Sequence, residues 1–579
     1  MKSKQRCIPI IAIFSLVILA CNSKRDKSDE IVSAKEQRPN IIWLVAEDLS
    51  PRFTAYGDSL AHTPNIDQLA SNGIVYENAF TVSGVCAPSR SSMITGMYPT
   101  SIGTQHMRQK SGVIDIPGFP KYNAVPPPEV RAFPEILRKN GYWTASYKKL
   151  DYQFGEPFTI WDEVSAYPSW RNRPEADKER PFFIYYTFEI THEINIWPDS
   201  TKNRFFDEFN IKRPSLAPDV RKRPTFDEKN KVDPGRVVVP PFLPDTPTSR
   251  GHIARLYDNV SRMDVQIGEI LKDLKEDGLL DNTIVMFMSD HGDCLPRSKR
   301  WIYDSGIKVP LIVHYPKKYL PKNMEQPSLD ENLYSFVDLA PTVLELAGIE
   351  VPQWIQGKSM VTELAQNPRE YVYAARDRMD NRYDIRRAVR DKQYKYIKNF
   401  TPEVPYSQEI TFLNQMPLMT ELKRMDALGN LNRNESYWLK GPKPSEELYN
   451  LNEDPFELRN LALNPDYSNT VKRMENALDD WQNTYGDLKD IPEIEQAERM
   501  WPGGMQPRTK AGKIQFKNDS ILLECETEGA TVAYRINDTE RWRIYEMPIP
   551  QDTIEKIEIK TVRYGYKESE PTSYGIPFN

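Results

Sequence analysis

The sequence predicts an α/β protein. A mainly parallel central sheet is sandwiched by helices, and a smaller antiparallel C-terminal subdomain and an appended small all-β module follow. Three observations carry this reading. Two apolar runs, Asn40 to Ala46 and Thr283 to Ser289, have the unbroken β-branched character of strands covered on both faces. Helical patterns lie between them, and alternating strand and helix argues for a parallel sheet. After about residue 366 the chain changes to short alternating runs, the mark of antiparallel strands.

The elements follow in order. Residues 1–21 read as a lipoprotein signal peptide. Lys2, Lys4 and Arg6 precede an apolar core from Ile8 to Ala20, shorter than the ~20 residues a bilayer span needs. The core ends in Ile18-Leu19-Ala20-Cys21, which resembles a bacterial lipobox. Cleavage there would leave Cys21 as the lipidated residue of an exported bacterial lipoprotein, membrane-anchored and facing the periplasm or the cell surface. An ordinary secretory signal with a coincidental cysteine is the other reading. Residues 22–38 are polar and read as a flexible tether.

The α/β domain spans 39–365. Thr63 to Ala70 opens a helix with Pro64 near its start. Ala132 to Asn140 ends at Asn-Gly, a helix stop. Leu256 to Leu274 carries Val260, Met263, Ile267, Ile270, Leu271 and Leu274 on one face of a long helix. The antiparallel subdomain spans 366–500, with strands at Tyr371 to Ala375, Arg386 to Arg390 and Tyr394 to Ile397, and a helix from Asn469 to Tyr485. Residues 501–510 read as a linker, and 511–579 as a small β-sandwich-like module.

The net charge of −6 gives no indication of nucleic-acid binding. Five cysteines occur. Cys7 and Cys21 belong to the signal, and Cys86, Cys294 and Cys525 are scattered, so no disulfide framework is expected. Cys294 is expected to be a semi-buried thiol.

Both long apolar runs end in acid: Glu47-Asp48 after the first, Asp290-His291 after the second. In open α/β sheets ligands bind beyond the carboxyl ends of the strands, so two strands deliver carboxylates to one rim. Such a group suits a hard divalent cation, and Ca²⁺ prefers oxygen ligands. Cys86-Ala87-Pro88-Ser89-Arg90, continued by Ser91 to Gly96, resembles the sulfatase signature Cys-x-Pro-Ser-Arg-x-x-x-x-Thr-Gly. Further matches follow in that family's order: Arg38 to Ile42, Thr63 to Ala70, Gly96-Met97-Tyr98-Pro99, Val337 to Thr342, and Glu447 to Leu451 with Asp454-Pro455. They cover roughly residues 39 to 465.

The resemblance implies an alkaline-phosphatase-like core and a role for each matched residue. Cys86 would be oxidised by a formylglycine-generating maturation enzyme, and its hydrated aldehyde would attack sulfur. Arg90 would hold that diol. One Ca²⁺ would be held by Glu47, Asp48, Asp290, His291 and the modified Cys86. Lys149, His192 and Lys299 fall where the family places sulfate-binding and proton-transfer groups. There are departures: Glu47-Asp48 replaces Asp-Asp, His291 stands where Asn is usual, and Asp151 replaces a histidine two places after the family's lysine.

Ile102 to Arg108 and Arg376 to Asp384 look like the heparan N-sulfatase-like branch of bacterial polysaccharide-degrading sulfatases, which would place His106, Arg378, Asp380 and Arg382 beside the sugar. The expected partner is a sulfated glycan, with N-sulfoglucosamine or another heparan-type sulfate preferred. Alternatives are O-sulfates of an algal polysaccharide such as ulvan or carrageenan, a phosphoester hydrolase on the same core, and an inactive glycan-binding lipoprotein.

Overall fold

Strand register is what builds the site. In the computed structural model, which describes residues 38–107, 118–209, 211, 227–517, 519–537, 539, 541–551 and 554–575, the chain divides into two units, Met1–Arg38 and Pro39–Asn579. The segment read as a signal peptide, the expected lipidation site Cys21 and all of the expected tether but Arg38 lie outside the described residues. Among the described residues no helix is long and apolar enough to cross a membrane.

The main sheet has nine strands in the order β4-β3-β5-β1-β6-β8-β2-β7, with β9 also pairing β2. They are β1 (Asn40–Ala46), β2 (Ile74–Phe80), β3 (Trp143–Tyr147), β4 (Glu163–Ser165), β5 (Phe182–Phe188), β6 (Thr283–Ser289), β7 (Lys308–Val309), β8 (Leu311–His314) and β9 (Ser328–Ser335). The β4-β3-β5-β1-β6 half is parallel; β2 and β6 each meet β8 antiparallel. Strand β1 sits between β5 and β6, with Ala46 opposite Phe188 on one side and Ser289 on the other. The residues that follow all three strands therefore emerge at one rim.

Side chains of a strand alternate between faces, and β1 serves two cores. Ile42, Leu44 and Ala46 pack in one with Ile253, Leu256, Val260 and Met263 of the helix Pro247–Glu276. Ile41, Trp43 and Val45 pack in the other with Phe133, Leu137, Leu339 and Val343. The helix Pro247–Glu276 has 30 residues, longer than the apolar periodicity alone marks. Its first turns bury His252, Asp258 and Asn259, which interrupt the apolar pattern, and Thr246 caps it by accepting from the Ser249 amide at 3.2 Å.

The second sheet runs β10-β11-β12-β13, all antiparallel. Its strands are β10 (Val372–Arg376), β11 (Arg386–Arg390), β12 (Tyr394–Asn399) and β13 (Glu446–Asn450). The helix Ser468–Tyr485 closes it through Met474, Leu478 and Trp481. The C-terminal module consists of a three-stranded and a four-stranded antiparallel sheet.

Two expectations need correction. The segment 501–510 is docked rather than a free linker: Trp501 is buried and its indole N–H donates to the Gly565 carbonyl at 3.2 Å. Cys294 is fully buried, packed in the core cluster that also holds Leu295 and Trp301.

Candidate active site

The rim is held in an uncommon backbone. Asp48 has φ +53°, a left-handed conformation that non-glycine residues adopt mainly where surrounding contacts fix them. Its amide donates to Asp290 Oδ1 at 3.1 Å, and its Oδ2 accepts from the Glu193 amide at 2.7 Å. The Glu47 amide donates to Thr191 Oγ1 at 3.1 Å. The ends of β1, β5 and β6 are thus tied to one another. Gly292 completes the turn after β6: a Cβ there would lie 2.3 Å from the Ser305 carbonyl oxygen.

Cys86 opens the helix Cys86–Thr95, every residue of which is buried. Its position at the helix start puts residue 86 at the positive end of the helix dipole, where a developing anion is favoured. Sγ is 3.4 Å from His291 Nε2 and 3.9 Å from Asp48 Oδ1. One turn on, Arg90 donates to Asp290 Oδ2 and to Glu47 Oε1, each at 3.1 Å, and to Tyr185 and Thr187 of β5 at 3.0 and 3.2 Å. It bridges the ends of all three central strands.

Two lysines flank Cys86. Lys149 Nζ is 2.7 Å from Glu47 Oε1. Lys299 Nζ is 2.7 Å from Asp48 Oδ2, 2.8 Å from Glu193 Oε1 and 3.4 Å from His192 Nε2. Burial works against both ammonium groups, but Glu47 raises Lys149 and Asp48 raises Lys299 above the usual lysine value. Burial, then Lys299, holds His192 well below the ordinary imidazole value. Burial opposes ionisation of Asp48, yet Lys299, His192 and His291 outweigh it and keep the carboxylate well below its usual range. For Glu47 burial wins over Lys149 and Arg90, and the carboxyl is pushed up to about 7. Burial lowers His291, but Asp290 and Asp48 prevail and raise it to about 10.

The donor set fits a cation. Ligand atoms of Asp48, Cys86, Asp290 and His291 lie within 4.8 Å of one another, all buried. His291 Nε2 is 3.0 Å from Asp48 Oδ1, so the acids draw positive charge onto the imidazole; a divalent ion would supply it instead. Glu47 is not one of the four, being paired with Lys149 and Arg90 through Oε1. Its Oε2 is buried without a hydrogen-bond partner, the sort of orphaned acceptor a cation would satisfy.

The structure brings Glu47, Asp48, Cys86, Arg90, Lys149, His192, Asp290, His291 and Lys299 into one linked group. The sugar-side candidates form a second one. The His106 ring is buried, and its Nδ1 accepts from the Arg378 amide at 3.3 Å. Arg378 is fully buried and donates to both Glu493 oxygens at 2.6 and 2.7 Å and to the carbonyls of Met107 and Asp380. Asp380 is buried with φ +48°, its Oδ2 3.7 Å from Arg300 Nε. Arg382 is exposed and donates to the Glu409 carbonyl. Arg378, expected at the sugar, is thus engaged in the protein interior.

Glu193 and Arg300 are central here and were not singled out in the sequence. Glu193 is buried and grips Arg300 at 2.8 and 3.0 Å while holding Lys299 and donating its amide to Asp48. Their adjacency to His192 and Lys299 was the available signal.

Comparison with known proteins adds the following. The sulfatase family model matches residues 39–176 and 160–349. A second model, N-sulphoglucosamine sulphohydrolase, C-terminal, matches residues 296–419. An ulvan-active sulfatase of Formosa agariphila is 38% identical over 97% of this chain and 96% of its own length. Human N-sulphoglucosamine sulphohydrolase is 26% identical over 76% of this chain and 89% of its own. A solved structure in complex with its substrate D-glucosamine-2-N,6-O-disulfate superposes with a TM-score of 0.53 at 20% identity, covering 79% of this chain and 99% of that one. A likeness at that identity concerns the fold.

Proposed function

The chain belongs to the sulfatase family, and from that premise we propose that it desulfates a glycan through a formylglycine made from Cys86 by a maturation enzyme. Sulfated polysaccharides are its substrate class. The single observation that carries the proposed chemistry is the convergence of Asp48, Cys86, Asp290 and His291 within 4.8 Å, with a lysine on either side.

The hydrated aldehyde supplies an oxygen nucleophile at the start of the helix Cys86–Thr95. Asp48, Asp290 and His291, with the unpartnered Oε2 of Glu47 near them, would hold a Ca²⁺, which would supply positive charge against the sulfuryl oxygens. Arg90 fixes Glu47 and Asp290 from behind, so the acids are set before substrate arrives. Lys149 and Lys299 each reach the rim as single point charges and can turn to sulfuryl oxygens. His192 and Lys299, 3.4 Å apart, form the pair from which the leaving oxygen takes its proton.

For the sugar we favour an O-sulfate of an algal polysaccharide, since similarity to the ulvan-active relative runs through the C-terminal module. The match of residues 296–419 to the N-sulphoglucosamine model supports N-sulfoglucosamine as the second reading. The leader pattern supports export as a lipid-anchored protein, for which membrane fractionation of Cys21→Ala is the check.

The test is to produce the chain beside a formylglycine-generating enzyme, map the peptide holding residue 86, and screen ulvan and heparan oligosaccharides for sulfate release. An aldehyde, ~18 Da lighter than the thiol form, is expected in active material. Full activity with an intact Cys86 thiol would sink the mechanism.

A further inference from the structure

A cleft of about 680 Å³ lies between the core loop 151–157 and the C-terminal module. Its core wall starts at Asp151, two residues after Lys149, so their Cα atoms are no more than ~7 Å apart. Asp151 is also the residue standing where the family has histidine, and its side chain lines this cleft.

The walls are fixed. Phe154 stacks on Tyr564 of the module, with ring centroids 4.9 Å apart, and the Gly565 amide donates to the Phe154 carbonyl at 3.0 Å. Glu135, fully buried, accepts from Thr531 at 2.6 Å and from Tyr564 at 2.9 Å. The loop itself carries an unusual backbone: Asp151 has φ +57°, Gln153 φ +68° and Gly155 φ +82°. Such conformations persist only where neighbours enforce them, and they concentrate at functional sites. Here the Gln153 carbonyl accepts from the Ala124 amide at 2.9 Å, and its side-chain amide donates to the His106 carbonyl. The loop thus joins the cleft to the second group of residues described above.

The lining suits sugar hydroxyls better than sulfate. Two of its cations are neutralised, Arg508 by Glu570 at 2.6 Å and Lys560 by Glu568. Among the described residues Asp151 and Glu156 form no ion pair, and Lys567 is a further cation of the lining. Carboxylates repel a sulfate but accept hydrogen bonds from hydroxyls. Asn123 and Gln506 add amides, and the half-buried Tyr566 adds an aromatic face.

We propose that this cleft, built jointly by the core and the module, binds an unsulfated sugar residue of the same glycan chain whose sulfate is removed at Cys86. The module is then part of the substrate site, and the enzyme prefers chains to isolated sulfated sugars. This rests on the glycan reading of the active site.

The test uses the full matured chain with Tyr566→Ala and, separately, Glu156→Gln. The first readout is binding of a chemically desulfated ulvan tetrasaccharide by calorimetry. The second is sulfate release from ulvan disaccharide, ulvan tetrasaccharide and a small aryl sulfate. Each variant should weaken tetrasaccharide binding ~10-fold and raise KM for the sulfated tetrasaccharide similarly, leaving aryl sulfate turnover unchanged. Unaltered binding in both variants would overturn the cleft. Binding that responds as expected in an enzyme without sulfatase activity would sink the active-site reading and leave the cleft standing.

Discussion

The rim of the main sheet and the face of the second sheet are both dense in buried charge, yet they hold it differently. Around the second sheet arginines dominate, and two of them bind carboxylates with two prongs. Arg378 grips both Glu493 oxygens, and Arg387 spans Asp377 and Asp487 with two contacts to each. Arg386 reaches Glu447, and Arg376 pairs with Asp384 at 2.9 Å. These planar forks are locked in place. At the rim the flanking cations are lysines, one carboxylate oxygen of Glu47 lacks a hydrogen bond, and His291 Nε2 lies 3.0 Å from Asp48 Oδ1. The difference teaches how to sort buried charge. Forked pairs such as Arg378–Glu493 and Arg387–Asp487 use both carboxylate oxygens, whereas at Glu47 and Asp48 a lysine point charge meets a single oxygen.

The comparison can be broken at several points. The largest expected effect is at Cys86. Cys86→Ala in the matured enzyme should lower kcat by ~10,000-fold or more, the usual scale for losing a nucleophile, with an unchanged thermal midpoint. A residual rate near wild type would move the chemistry elsewhere.

Arg378 tests the other half. Removing one partner of a buried pair costs ~3–5 kcal/mol, so Arg378→Ala should fall in denaturant midpoint and lose aryl sulfate and glycan turnover alike. Selective loss on the glycan, with stability intact, would return Arg378 to the sugar contact that the sequence suggests. The double variant Arg378→Met with Glu493→Leu should recover much of the stability.

Glu193 sharpens the boundary between the two regions, because it is a closed pair with Arg300 and a support for Lys299 at once. Glu193→Gln keeps the shape and loses the charge. It should cut kcat ~100-fold through misplaced Lys299, more than its stability loss explains. Equal turnover would show that Lys299 is held by Asp48 alone.

The smallest effect is expected from metal removal measured as stability. A ligand present at ~100 times its dissociation constant stabilises by ~2.7 kcal/mol, so chelation should lower the thermal midpoint by a few degrees and Ca²⁺ should restore it. Asp290→Asn should abolish that response. A midpoint indifferent to chelator and to Ca²⁺ would oppose the cation reading of the rim.

Much of this was legible in the sequence because it depends on short-range pattern. Unbroken apolar runs specify strands buried on both faces, and the residues just past them must emerge at the strand ends; so the fold class, Glu47-Asp48 and Asp290-His291 could be placed without coordinates. Cys86 with Pro88, Ser89 and Arg90 is likewise a contiguous motif. Tertiary structure alone decided how long-range partners share charge. Nothing local announces that Glu493 closes on Arg378 across 115 residues, that Glu193 carries Lys299, or that the segment after Trp501 is pinned to Gly565. Nor can pattern tell a buried arginine that binds substrate from one that binds its own protein, since both need the same guanidinium; only the position of the opposing carboxylate separates them.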